Sequence, residues 1–222
     1  MSEAKLKLEP ITFSSRDGLQ LEGLIYHFGD NARRPAAVVC HPHPLYGGSM
    51  RSSLIANIAC TLAGHGFVVL RFNFRGVGGS EGRHDAGYGE QQDVAGAVSA
   101  LLTRNDVDPE RVYLAGWSFG ARVGLAYGAQ DERLAGFAVV GLPTGSLAED
   151  FLQADTRPKL FLLGEHDQFS NAGKLKRWVE GMAGPAHVVV MDDTDHFLAG
   201  REQEGADLIA NFVDGLAQEE NP

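Results

Sequence analysis

Cysteine is scarce: Cys40 and Cys60 are the only two in 222 residues. Two thiols cannot build a disulfide framework. Both lie in apolar runs, so they read as reduced, buried side chains of a cytoplasmic protein. Basic charge is also in deficit, with 19 Lys and Arg against 29 Asp and Glu and a net charge of −10. Such a chain lacks the electrostatic footprint of a nucleic-acid binder, and anionic membrane surfaces would repel it. Long apolar runs are missing too. The stretch Ser52–Leu70 carries no Lys, Arg, Asp or Glu, but Asn57 and the break Gly64-His65-Gly66 interrupt it. A short helix, a Gly turn and a strand account for it better than a membrane span. The opening MSEAKLKLEPITF has no apolar segment or cleavage site of a targeting signal. No repeat, low-complexity tract or Pro/Ser linker divides the chain. At 44% hydrophobic and 22% charged, residues 1–222 read as a single globular domain.

Glycine, by contrast, is abundant at 28 residues and punctuates short apolar runs. Two alternating segments, near Ile11–Ser14 and Leu21–Phe28, flank the turn Arg16-Asp17-Gly18 and predict an antiparallel hairpin. Ala36–Cys40, Phe67–Phe72, Val112–Ala115, Phe137–Val140, Leu160–Leu163 and Val188–Met191 then read as strands buried on both faces. Between them, Leu54/Ile55/Ile58/Ala59/Leu62, Val94/Ala97/Val98/Leu101/Leu102 and Leu208/Ile209/Phe212/Val213/Leu216 follow helical spacing. Alternation of this kind predicts a three-layer α/β/α sandwich around a mostly parallel sheet. Ligands in such sheets bind beyond the carboxyl ends of the strands, so chemistry is expected just after the apolar runs.

Three of those runs end in reactive side chains. Val112–Ala115 leads into Gly116-Trp117-Ser118-Phe119-Gly120 and then a helical segment, Ala121–Ala129. This is a G-x-S-x-G turn in strand–turn–helix context, with Ser118 as candidate nucleophile at a helix N-terminus. A Ser hydroxyl needs a base, and the base needs an orienting group. Gly164-Glu165-His166-Asp167 follows one strand and Asp192-Asp193-Thr194-Asp195-His196-Phe197 follows another. Asp167 is the candidate acid and His196 the candidate base, with Glu165 as rival acid. His166 adjoins Asp167 and cannot readily face it, and His187 opens a strand at the wrong end of the sheet. Asp192, Asp193 and Asp195 read as a solvated acidic loop rather than a metal site. His27, His65 and His84 have no partner signal and read as surface or turn residues.

The loop after the first buried strand is Cys40-His41-Pro42-His43-Pro44-Leu45-Tyr46-Gly47-Gly48. In this topology it supplies one oxyanion N–H, and the residue after the nucleophile, Phe119, supplies the other. Pro42 and Pro44 have no N–H. Leu45 is the expected donor, with Tyr46 second. The His41-x-His43 pair lacks a matched third ligand and reads as structural rather than as a zinc site. Arg75-Gly76-Val77-Gly78-Gly79-Ser80 follows a strand, but Glu81 stands where a dinucleotide loop needs Gly. No nucleotide cofactor or metal is expected.

These motifs together resemble the α/β-hydrolase superfamily of serine hydrolases over nearly the whole chain. The stretch Phe72–Gly82 looks like that family's turn after the fourth strand. The His-Pro-His-Pro-Leu-Tyr-Gly-Gly loop is similar to a subgroup of small lidless bacterial hydrolases near the dienelactone-hydrolase and prolyl-oligopeptidase branches. The resemblance implies an eight-stranded, mostly parallel sheet and a Ser118–His196–Asp167 triad. Dienelactone hydrolases use a Cys nucleophile where this chain has Ser118, so their lactone activity does not carry over. The expected activity is cleavage of small carboxylic esters. Peptide or thioester cleavage by the same residues, or a non-catalytic scaffold, are the alternatives. Only a short helix, around Leu147–Leu152, fits between the sixth strand and the next, so no lid is expected. Tyr46, Trp117, Phe169 and Phe197 flank the site in sequence and are expected to touch substrate. Oligomeric state is not legible.

Overall fold

The computed structural model describes residues 5–30, 32–146 and 152–219. Eight strands form one sheet in the order β1-β2-β4-β3-β5-β6-β7-β8. They are β1 (Lys7–Ser14), β2 (Gln20–His27), β3 (Arg34–Cys40), β4 (Val68–Phe72), β5 (Val107–Trp117), β6 (Gly136–Val140), β7 (Lys159–Gly164) and β8 (Ala186–Met191). β1 and β2 form the expected antiparallel hairpin, and β2 runs antiparallel to β4. All other pairings, from β4 to β8, are parallel. The helices are α1 (Ser53–Gly64), α2 (Tyr88–Leu102), α3 (Phe119–Gly128), α4 (Ala172–Val179) and α5 (Glu202–Glu219).

Strand alternation divides the interior into two cores. Val38, Cys40, Val112 and Leu114 face one side with Val94 and Val98 of α2, Val123 of α3 and Leu175 of α4. Ala37, Val39, Tyr113 and Ala115 face the other with Ile55 and Ile58 of α1 and Ile209 and Val213 of α5. Both faces of the central strands are therefore covered, which is why they read as unbroken apolar runs. Parallel strands leave all their carboxyl ends on one edge, and the loops after β3, β5, β6, β7 and β8 gather there.

The charge-free stretch resolves into α1, a turn with Gly66 at φ +91°, and β4, as expected. No helix among the described residues is long and apolar enough to cross a membrane. Between β6 and β7 the described residues contain no α-helix, and none of them covers the strand ends as a lid. The helix expected around Leu147–Leu152 falls almost entirely outside the described residues. Two other expectations need correction. Cys40 is buried, but Cys60 is exposed. It lies two residues from Ile58 and two from Leu62, on the outer face of α1. α3 starts at Phe119 rather than Ala121, because the turn at Ser118 passes straight into the helix. α4 gave no apolar stripe in sequence because it buries only Leu175; Asn171 caps it by accepting from the Lys174 N–H at 2.9 Å.

The Phe72–Gly82 stretch anchors the hairpin to the sheet. Arg75 is buried and forks onto Asp93 of α2, with Nη2–Oδ1 at 2.7 Å and Nε–Oδ1 at 3.0 Å. The Arg75 N–H also donates to Asp93 Oδ2 at 2.9 Å, and Nη2 reaches Asp17 in the hairpin turn at 2.9 Å. Burial pushes the Asp93 carboxyl up, and the hydrogen bonds from Arg75 pull against it.

Candidate active site

The G-x-S-x-G turn has the tight geometry its glycines imply. Ser118 takes φ 57°, ψ −113°, a conformation that costs an L-residue on the order of 1–3 kcal/mol and is held only by its surroundings. Its N–H is fixed by Val140 O at 2.8 Å. A Cβ on Gly120 would stand 2.4 Å from the carbonyl oxygens of Cys40 and His41, so only glycine lets α3 close against the end of β3.

Three loops bring the candidate reactive groups into one line. Ser118 Oγ lies 2.9 Å from His196 Nε2, and His196 Nδ1 lies 2.8 Å from Asp167 Oδ2. Asp167 is buried, and its second oxygen accepts from the Phe169 and Ser170 N–H groups, each at 2.8 Å. A carboxylate so held accepts from Nδ1–H, an arrangement that turns the Nε2 lone pair towards the Ser118 hydroxyl. Glu165, the rival acid, instead accepts from the Asp193 N–H at 3.1 Å. His166 also turns to Asp193, at 3.7 Å. Asp195 accepts from the Phe197 and Ala199 N–H groups and so shapes the turn that carries His196.

Two further residues support this line in ways the sequence did not signal. Gly141, just after β6, has φ +57°, and a Cβ there would lie 2.9 Å from His196 Cε1. Only glycine leaves room for the imidazole. Trp117 is the second. It was expected to touch substrate, but it is buried behind the histidine and donates from Nε1 to His196 O at 3.1 Å. Of the other expected contacts, Phe169 and Phe197 are half-exposed and set their rings 4.8 and 5.6 Å from that of His196. Tyr46 is exposed and leans on the His43 ring at 4.9 Å.

The oxyanion loop differs from expectation. Leu45 N–H donates to His43 Nδ1 at 3.3 Å, and Tyr46 N–H donates to His43 O at 3.1 Å. Both expected donors are therefore spent inside a 3-10 turn, Pro44–Tyr46, for which His43 is the N-cap. Among the described residues, the N–H groups of His43 and Phe119 have no acceptor. The two rings lie 4.8 Å apart. The signal was present in the sequence: His43 is the one residue between Pro42 and Pro44, and so the one N–H there.

Three other histidines face carboxylates that the sequence did not signal: His27 meets Glu9 at 3.2 Å, His65 meets Asp214 at 2.9 Å and His84 lies 2.7 Å from Glu90. His65 is exposed in a turn and His84 lies in a loop, as expected. His41 is fully buried. Its Nε2 accepts from the Phe74 N–H at 3.0 Å, and its Nδ1 donates to Pro42 O at 2.7 Å. Burial depresses its pKa from 6.5 to about 4. Between those values the unfolded chain binds a proton that the folded one refuses, so stability falls as pH drops from about 6.5 towards 4. The lowering amounts to about 3 kcal/mol. Urea unfolding from pH 8 to 4 should show the parent losing about that much more than His41→Asn, which has no proton to take up. Parallel curves would refute this.

Comparison with known proteins agrees with the geometry. The family description "Alpha/beta hydrolase domain" matches residues 36–219. An uncharacterised protein of Rickettsia prowazekii is 30% identical over 91% of this chain and 87% of its own length. A thiohydrolase of Arthrinium phaeospermum is 29% identical over 83% of this chain and 59% of its own. Among solved structures, an alpha-beta serine hydrolase homologue from Coxiella burnetii superposes with a TM-score of 0.81 at 32% identity, covering 92% of this chain and 96% of that one. A serine hydrolase without a lid from Xanthomonas campestris superposes with a TM-score of 0.78 at 28% identity, covering 97% and 96%.

Proposed function

The chain belongs to the alpha/beta hydrolase family, and on that footing we propose that it is a serine hydrolase that cleaves small carboxylic esters through an acyl-enzyme on Ser118. The observation that carries the reading is the hydrogen-bonded line from Ser118 Oγ through His196 to buried Asp167. His196 Nε2 takes the hydroxyl proton as Ser118 Oγ attacks the ester carbonyl carbon. Asp167 keeps the proton on Nδ1 and stabilises the imidazolium that forms. The carbonyl oxygen becomes an oxyanion, bound by the unclaimed N–H groups of His43 and Phe119; losing one such donor typically costs about 3–4 kcal/mol. As the intermediate collapses, the ester C–O bond breaks and His196 returns its proton to the leaving alkoxide. Water then attacks the acyl-enzyme by the same route, which frees the acid and restores Ser118.

Substrate size follows from the open rim. Among the described residues no lid covers the candidate line, and the exposed side chains of Tyr46, Phe169 and Phe197 border it. Such a rim suits short or extended acyl groups and gives no interfacial activation. A second reading, thioester cleavage, is favoured by the relative described as a thiohydrolase; the same residues would serve, with a thiolate leaving.

Two measurements test the proposal together. A fluorophosphonate probe should label the chain stoichiometrically at Ser118, and the protein should turn over p-nitrophenyl acetate or butyrate. Assays of acyl thioesters and aminoacyl anilides would then rank ester, thioester and amide. Absence of both labelling and turnover would leave a non-catalytic scaffold and end the hydrolase reading.

A further inference from the structure

His84 lies outside the reacting line, on the loop between β4 and α2, and its surroundings are unusual for a loop residue. Its side chain is only 17% exposed. Its ring centroid is 5.0 Å from that of His43 and 5.4 Å from that of Phe119, while His43 and Phe119 are 4.8 Å from each other. The three rings thus close a triangle. Two of its corners carry the N–H groups that lack acceptors among the described residues. The third corner is backed by a carboxylate. His84 Nδ1 is 2.7 Å from Oε1 of Glu90, fully buried at the start of α2, at an angle that makes no hydrogen bond. Glu90 accepts from the Asp85 N–H at 2.9 Å and the Gly87 N–H at 2.8 Å. Arg122 completes the frame: its guanidinium lies 5.4 Å over the Phe119 ring and donates to Ala86 O at 3.0 Å.

We propose that His84 is a positioning residue for the oxyanion site, a ring wedged between α2 and the His43 and Phe119 side chains that fixes the spacing of their two N–H groups. The inference rests on the oxyanion role given to those groups above. Hydrogen bonds through Leu45 and Tyr46 shape the loop on the C-terminal side of His43, and His41 Nδ1 holds the peptide before it by donating to Pro42 O at 2.7 Å. The His43 side chain itself is set by its ring contacts to Phe119 and His84. A donor placed about 1 Å out of position can cost about 10²-fold in rate, so a small relaxation of this loop would be felt in the chemical step. No hydrogen bond, ion pair or ring contact joins His84 to Ser118 or His196, so substrate affinity should be insensitive to it.

The test is steady-state kinetics on p-nitrophenyl butyrate for the parent, His84→Ala and His84→Phe, with Ser118→Ala alongside. A phenylboronic acid serves as a tetrahedral, oxyanion-bearing inhibitor. His84→Ala should lower kcat by about 10- to 100-fold with KM within about threefold, because misplacement acts on the transition state. Boronate affinity should fall in parallel with kcat. His84→Phe, which keeps a ring in the wedge, should recover most of both. The proposal is overturned if His84→Ala keeps kcat within twofold, if the loss appears in KM, if boronate affinity is unchanged, or if His84→Phe is no better than His84→Ala. The underlying reading fails separately, through Ser118→Ala: turnover retained there would remove the acyl-enzyme itself, whereas an inactive Ser118→Ala beside an unaffected His84→Ala would dismiss only the wedge.

Discussion

Ser118→Ala is expected to lower kcat on a short p-nitrophenyl ester by about 10⁵- to 10⁶-fold and to leave the fold intact. The size of the effect follows from what the hydroxyl does. Without Oγ there is no acyl-enzyme, and only the oxyanion donors and the bound geometry still favour direct attack by water. The structural cost should be small. Ser118 already holds φ 57°, and alanine is strained there to a similar degree. The side chain's hydrogen bond to His196 is lost, but the N–H that fixes the turn to Val140 O is unchanged. Thermal unfolding should therefore move by only a few degrees, on the order expected for about 1 kcal/mol. His196→Ala should be as severe, and the double variant little worse than either, because the two residues act as one unit. Additive losses, or wild-type turnover by Ser118→Ala, would contradict the proposed mechanism.

Asp93→Ala should have the largest effect on stability, lowering the unfolding free energy by about 3–5 kcal/mol. The reason is what remains behind. Arg75 is buried, and three of its donors, two on the guanidinium and one on the backbone, end on Asp93. Removing the carboxylate leaves that cation with Asp17 alone, whose side chain is 42% exposed. Asp17→Ala removes the weaker, partly solvated half of the network and should cost about 1 kcal/mol or less. Urea denaturation of the two variants checks both values. Equal small losses would mean that the buried pair is compensated elsewhere.

Much of the candidate site was legible in the sequence. Ser118 announced itself because a strand-to-helix turn this tight demands Gly116 and Gly120 around it. Asp167 and His196 followed because parallel strands put the residues after each apolar run on one edge. Other features were hidden for identifiable reasons. Trp117 looks like a substrate contact from its place beside Ser118, but strand alternation turns it inward with Tyr113 and Ala115. The choice between His43 and Leu45 turns on where each N–H points, which is a matter of the Pro44–Tyr46 turn and not of composition. His65 and Asp214 are 149 residues apart, and no local pattern could pair them. α4 escaped notice because one buried leucine makes no stripe.

The sequence by itself determined the architecture and the order of the candidate groups along the chain. Apolar period and glycine spacing are local properties, and they suffice to place strands, helices and strand-end loops. Only the tertiary structure decided how the groups are aimed and braced. Gly141 makes room for His196, Trp117 holds its carbonyl, and His84 closes the ring triangle with His43 and Phe119. Those relations join segments tens of residues apart, and distances between such segments are set by the packing of whole elements rather than by any local pattern in the chain.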